Sequence, residues 1–112
     1  MQINVFERLL LRNIVPQIQG WNYANMKDAR ELLEGLFTEE EETDLQFEQE
    51  EKQVKWKVAK EDGTPIPQER EIPVSEGLRK KIGKFLKQLD QEEQLGFEHY
   101  TLVEKFMDEP AQ

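Results

Sequence analysis

The spacing of apolar residues changes period twice along this chain, and that change constrains the fold more than any other feature. Up to Leu36, and again beyond Ser75, apolar residues recur every three or four positions, as on helices buried along one side. Between these stretches Leu45 and Phe47 alternate with Gln46 and Glu48, and Val54, Trp56 and Val58 alternate with Lys55 and Lys57. That is the period of strands with one face buried. A helix–strand–helix reading over 112 residues predicts one α+β domain spanning 1–112. The expected contents are four to five short helices and a small antiparallel sheet, made of a β-hairpin with a further strand at its edge.

Local signals place the elements. A first helix is expected from Asn4 to Val15, opened by a capping box of Asn4 with Glu7. Its apolar stripe is Phe6, Leu9, Leu10, Asn13 and Ile14, and Pro16 should push residue 15 out of the helical region. Gln17 to Tyr23 reads as a loop around Gly20, with Ile18, Trp21 and Tyr23 packing back. The second helix runs from about Asn25 to Leu36, buries Met26, Ala29, Leu32, Leu33 and Leu36, and has Gly35 placed for a left-handed cap. Thr38 with Glu41 makes a second capping box, opening an acidic helix from Glu39 to about Asp44.

The two strands of the hairpin follow, joined by the polar stretch Gln49–Lys52, with acids of the first pairing lysines of the second on the outer face. Lys60 to Gln68 reads as an exposed loop, and Glu69 to Val74 as a third strand that Pro73 confines to an edge. Ser75 caps the longest helix, Glu76 to about Gln94, with Leu78, Ile82, Phe85, Leu86 and Leu89 inward and Lys80, Lys84 and Lys87 outward. Gly96 interrupts the chain, and a last helix from Phe97 to about Met107 buries Tyr100, Val103, Phe106 and Met107. Residues 108–112 are expected to fray.

Catalytic chemistry has few residues to draw on. There is no cysteine, which removes thiolate nucleophiles, disulfides and cysteine-ligated zinc. Ser75 is the only serine and His99 the only histidine, the first claimed by a helix cap and the second in the first turn of a terminal helix. Gly77-Leu-Arg-Lys-Lys-Ile-Gly83-Lys84-Phe85 imitates a phosphate loop, but has five residues between the glycines and Phe85 where a hydroxyl is needed. The glutamates at 39–42, 48, 50 and 51 supply oxygens without the spacing of a calcium loop. The chain reads as a non-enzyme with no cofactor and no metal.

Charge is the remaining signal. Asp and Glu number 24 against 15 Lys and Arg, a formal net charge of −9 that repels nucleic-acid backbones and favours basic protein partners. The charge is polarised. Glu39, Glu40, Glu41, Glu42 and Asp44 form an acidic patch, the expected partner-binding surface, although four glutamates also suit the positive end of a helix dipole. Arg79, Lys80, Lys84 and Lys87 form a basic patch, the surface for the alternative of nucleic-acid binding. Three helices followed by a hairpin is also the order of a winged helix, but its third helix would carry the acidic patch into a phosphate-lined groove. Trp56 between lysines could stack on a base, yet its period places it in the core. An exposed apolar helix face would make a homodimer.

With no apolar run long enough for a membrane span, and a start, Met-Gln-Ile-Asn-Val-Phe-Glu-Arg, unlike a signal peptide, a cytoplasmic setting is expected. Asn4-Val-Phe-Glu-Arg-Leu-Leu-Leu-Arg-Asn-Ile-Val-Pro16 is similar to the opening of small uncharacterised proteins encoded by bacteriophages and prophages. The ending, Leu86-Lys-Gln-Leu-Asp-Gln-Glu-Glu-Gln-Leu-Gly-Phe-Glu-His-Tyr-Thr-Leu-Val-Glu-Lys-Phe106, resembles theirs as well. The resemblance implies a bacterial or phage cytoplasmic setting, and it transfers no functional residue. The expected function is that of a small acidic accessory protein that binds another protein.

Overall fold

In the computed structural model, which describes residues 1–51 and 53–107, the strands are Gln2–Asn4 (β1), Glu48–Glu50 (β2), Gln53–Lys55 (β3) and Glu69–Glu71 (β4). The helices are Val5–Ile14 (α1), Tyr23–Gly35 (α2), Glu39–Leu45 (α3), Glu76–Gln91 (α4) and Tyr100–Phe106 (α5), with 3-10 turns at Val15–Gln17 and Phe97–His99. The α+β class holds: among the described residues there are five α-helices and two antiparallel two-stranded sheets. The tail expected to fray, 108–112, lies outside the described residues.

Helix starts follow the side-chain caps. Asn4 Oδ1 accepts the Glu7 N–H at 2.7 Å while Glu7 Oε1 accepts the Asn4 N–H at 2.9 Å, and Thr38 and Glu41 repeat the exchange at 3.1 and 3.0 Å. Ser75 Oγ accepts the Leu78 N–H at 3.2 Å. Asn22 caps α2, accepting the Asn25 N–H, so this helix begins two residues before the expected Asn25.

Helix ends depart from expectation. Val15 stays in the helical region, at φ −56° and ψ −43°, because the backbone runs on into a 3-10 turn that tolerates Pro16 in its first positions. Gly35 makes no left-handed cap: arginine side chains take the last carbonyls of α2 instead, as described below. α4 stops at Gln91 because Glu93, at φ +55°, turns the chain before Gly96. The left-handed cap of α3 is Gln46, at φ +47°, whose N–H reaches Glu42 O at 3.2 Å. Gln46→Gly is therefore expected to stabilise the fold by roughly 0.5–1 kcal/mol, readable as a raised thermal midpoint.

Strand pairing also differs. β4, expected beside the hairpin, pairs with β1, in the register Gln2↔Glu71, Ile3↔Arg70 and Asn4↔Glu69. The hairpin itself pairs Glu48↔Lys55, Gln49↔Val54 and Glu50↔Gln53, with Lys55 Nζ 3.1 Å from Glu50 Oε2 on the outer face as expected. It starts later than predicted, because Leu45 is still helical, and Val58 is exposed where the chain bends into the Ala59↔Pro65 bridge.

The buried side chains form two clusters. The larger joins Ile3 and Ile72 of the β1–β4 region to Leu11 and Ile14 of α1, Leu32 of α2, and Leu78, Ile82, Leu86, Leu102 and Phe106 of α4 and α5. The smaller holds Val5, Leu45 and Ile66, with Phe37, Phe47 and Trp56 against them. Ile66 thus leaves the loop that was expected to be wholly exposed. Gly83 lets α5 approach: a Cβ there would sit 2.7 Å from Phe106 O. Met26, Tyr23 and Tyr100, all expected inward, are exposed, because α2 and α5 each bury only a narrow stripe (Ala29 and Leu32; Leu102 and Phe106). Asn13, assigned to the inward stripe of α1, is exposed as well.

Candidate functional site

Of the five acidic residues expected to form the partner surface, one serves the interior. Glu41 is the hub of a partly buried ion network. Arg8, fully buried on α1, donates from Nη1 to Glu41 Oε2 at 2.7 Å and to Leu36 O at 2.9 Å, and from Nη2 to Gln68 O at 3.2 Å. Its guanidinium lies 4.7 Å from the centre of the Phe37 ring. Arg70, brought in by the β1–β4 pairing, donates to Glu41 Oε1 at 3.1 Å and to the carbonyls of Gly35 and Leu36 at 2.7 and 2.8 Å. The open C-terminus of α2 is thus closed by two arginines, favoured there by the helix dipole. Burial pushes the Glu41 carboxyl up, but the Thr38 N–H, Arg8 and Arg70 together outweigh it and hold the group below the ordinary value.

The network fixes α3 in place, and its other carboxylates face outward. Glu39, Glu40 and Glu42 are exposed and have no ion pair among the described residues. Asp44 is half-buried, 3.8 Å from Lys60 Nζ. Glu48 and Glu50 continue the acidic surface on β2, and Glu51 follows them. The sequence pattern located the acidic run; it did not show that Glu41 turns inward, although its place in the capping box was the available sign.

The basic patch divides in the same way. Arg79 Nη2 donates to Glu76 Oε1 at 3.2 Å, and Lys80 Nζ lies 3.9 Å from the same oxygen. Lys81 donates to Gly20 O and sits 5.6 Å from the Trp21 ring centre, tying α4 to the loop before α2. Lys84 and Lys87 are exposed, with no ion pair among the described residues.

A second buried pair lies elsewhere. Lys105 Nζ reaches Glu7 Oε1 at 2.6 Å and Gln2 O at 2.7 Å, fastening α5 to the start of α1. Burial pushes the Glu7 carboxyl up; Lys105, the Asn4 N–H and the Thr101 hydroxyl outweigh this, and the net direction is down. Glu7 Oε2 is buried, and no group among the described residues meets hydrogen-bond geometry to it. Ser75 and His99 have local roles, the first as the α4 cap and the second accepting the Gly96 N–H on Nδ1 at 2.9 Å. Among the described residues no three His, Asp or Glu side chains gather as a metal site, and no helix is long and apolar enough to cross a membrane.

No family model, curated protein or solved structure matches the chain.

Proposed function

We propose that this chain is a small accessory protein, of the kind encoded by bacteriophages and prophages, that acts by binding another protein through the acidic surface of α3 and β2. The observation that carries the reading is the division of labour within α3: Glu41 is consumed by Arg8 and Arg70, and Glu39, Glu40 and Glu42 are held outward on the helix it anchors. Carboxylates on a helix held in place steer the approach of a basic surface.

The test is recovery of partners from bacterial lysate with wild-type protein and with the Glu39→Lys, Glu40→Lys, Glu42→Lys triple variant. Wild type is expected to retain a basic protein at about 0.1 M salt and release it near 1 M, where screening shortens to about 3 Å. The triple variant is expected to retain none of it. Recovery of the same proteins by both forms, or of none by wild type, overturns the reading. A shift of labelled nucleic acid that is lost on Lys84→Glu and Lys87→Glu would favour the basic face of α4 instead.

A further inference from the structure

A cleft of about 530 Å³ opens between α2, the start of the chain and the corner where β4 leads into α4. Its floor is apolar: Leu32, Ile72 and Leu78 belong to the larger core, and the half-buried Val74 lies beside them. On α2 the lining residues Asp28, Leu32 and Gly35 fall at i, i+4 and i+7, with Glu31 next to Leu32, so one stripe of that helix faces the cleft. Gly35 adds no side chain, and a Cβ placed there meets no atom within 4 Å.

The charged groups in the lining set the sign of the cleft. Asp28 is half-buried and Glu31 exposed, and neither carboxylate is paired among the described residues. Carboxylates three positions apart on a helix are neighbours, about 5–6 Å between Cβ atoms, so both can reach one cation. The lining cation, the ammonium of Met1, is already neutralised: it lies 2.8 Å from Glu71 Oε1 and donates to Ile72 O at 3.2 Å. The start of α4 is closed by the Ser75 hydroxyl and carries Glu76 in its first turn. A cation on a long hydrocarbon stem, the form of a lysine or arginine side chain, complements two carboxylates above an apolar floor. A hydrated metal ion gains nothing from such a floor, and an anion meets like charge.

We propose that this cleft receives a lysine or arginine side chain of the basic partner protein, its stem against Leu32 and Val74 and its charged head toward Asp28 and Glu31. The inference rests on the protein-binding reading above and adds a second contact to it. The acidic surface of α3 and β2 steers by charge, whereas the cleft selects one kind of side chain by charge and shape together.

The probe is a short alanine peptide with one central lysine, blocked at both ends, compared with the same peptide carrying norleucine or glutamate at the centre. Norleucine keeps the stem and lacks the charge. Binding is followed by amide NMR on the full chain. The lysine peptide is expected to shift Asp28, Glu31, Leu32, Gly35 and Val74, and to bind about tenfold more tightly than either of the others. Asp28→Asn with Glu31→Gln is expected to erase that preference at an unchanged thermal midpoint. If the pair of changes disturbs the fold, Glu31→Gln alone, at an exposed position, is expected to weaken the lysine peptide roughly threefold. The Glu39→Lys, Glu40→Lys, Glu42→Lys variant is expected to keep the shifts in the cleft, which separates this contact from the surface of α3. Shifts confined to α3 and β2 overturn the cleft and leave the acidic surface in place. Equal affinity of the lysine and norleucine peptides, tighter binding of the glutamate peptide, or no shift at the cleft residues overturns the proposal as well.

Discussion

Replacing Arg8 with methionine is expected to lower the stability of the fold by about 3 kcal/mol, a large share of the roughly 5–15 kcal/mol typical of a domain. The change leaves Glu41 Oε2 and the Gln68 carbonyl without their arginine donor and leaves the Leu36 carbonyl to Arg70 alone. Methionine fills comparable volume, so the loss reports on these polar partners rather than on a cavity. Arg8→Lys should recover little of it, because a single ammonium cannot serve carbonyls and carboxylate in the directions a guanidinium fork does. Arg70→Met is expected to cost about 1 kcal/mol, since that side chain is 32% exposed and water takes over part of its role. Urea midpoints of the three variants provide the measurement. A loss for Arg8→Met no larger than for Arg70→Met would remove Arg8 from the centre of the network.

Lys105→Met is expected to be nearly as costly, about 2–3 kcal/mol at neutral pH, because it strands the Glu7 carboxylate in the interior. Adding Glu7→Gln should recover most of the loss, since a neutral amide keeps the capping contact to Asn4 without a buried charge. The pH dependence has a definite sign. Glu7 and Glu41 both have carboxyls depressed below the ordinary 4.5 in the folded chain, so their contribution is complete above that value and lost as pH falls through the folded ones. Wild-type midpoints should therefore be flat near neutrality and decline below about pH 4.5. In Lys105→Met the Glu7 carboxyl takes up its proton more readily, and the gap to wild type should narrow toward acid. A gap that stays constant with pH would mean that Lys105 acts by packing alone.

Much of this architecture was legible in the chain because its signals are local. Both capping boxes, the Ser75 cap, the inward face of α4 and the hairpin each depend on residues a few positions apart. The errors have long-range causes. Arg8 sits in a helix among apolar residues, and nothing near it in the chain marks it as interior; only α2, α3 and the stretch around Gln68, brought together in three dimensions, make it so. Glu7 likewise reads as a cap and nothing more until Lys105 arrives. β1 is three residues long and carries one apolar residue, Ile3, too little for any period to show. Met26 and Tyr100 were assigned inward because they are apolar and in phase, but phase does not reveal how wide a stripe a small core can cover. For the candidate surface, the acidic run was visible; of the stripe expected on α1, Ile14 is buried and Leu9 and Leu10 pack half-buried against the two clusters, while Phe6 is exposed.

The antiparallel pairing of β1 with β4, together with the reach of Lys105 to Gln2 O across 103 residues, has a consequence for the order of assembly. α2 and α3 can form from neighbouring residues as they are synthesised, but the first fourteen residues cannot reach their final surroundings until Glu69–Glu71 and then α5 exist. Closing loops of that length is slow relative to local helix formation. The opening segment therefore completes its contacts only after α5 has formed.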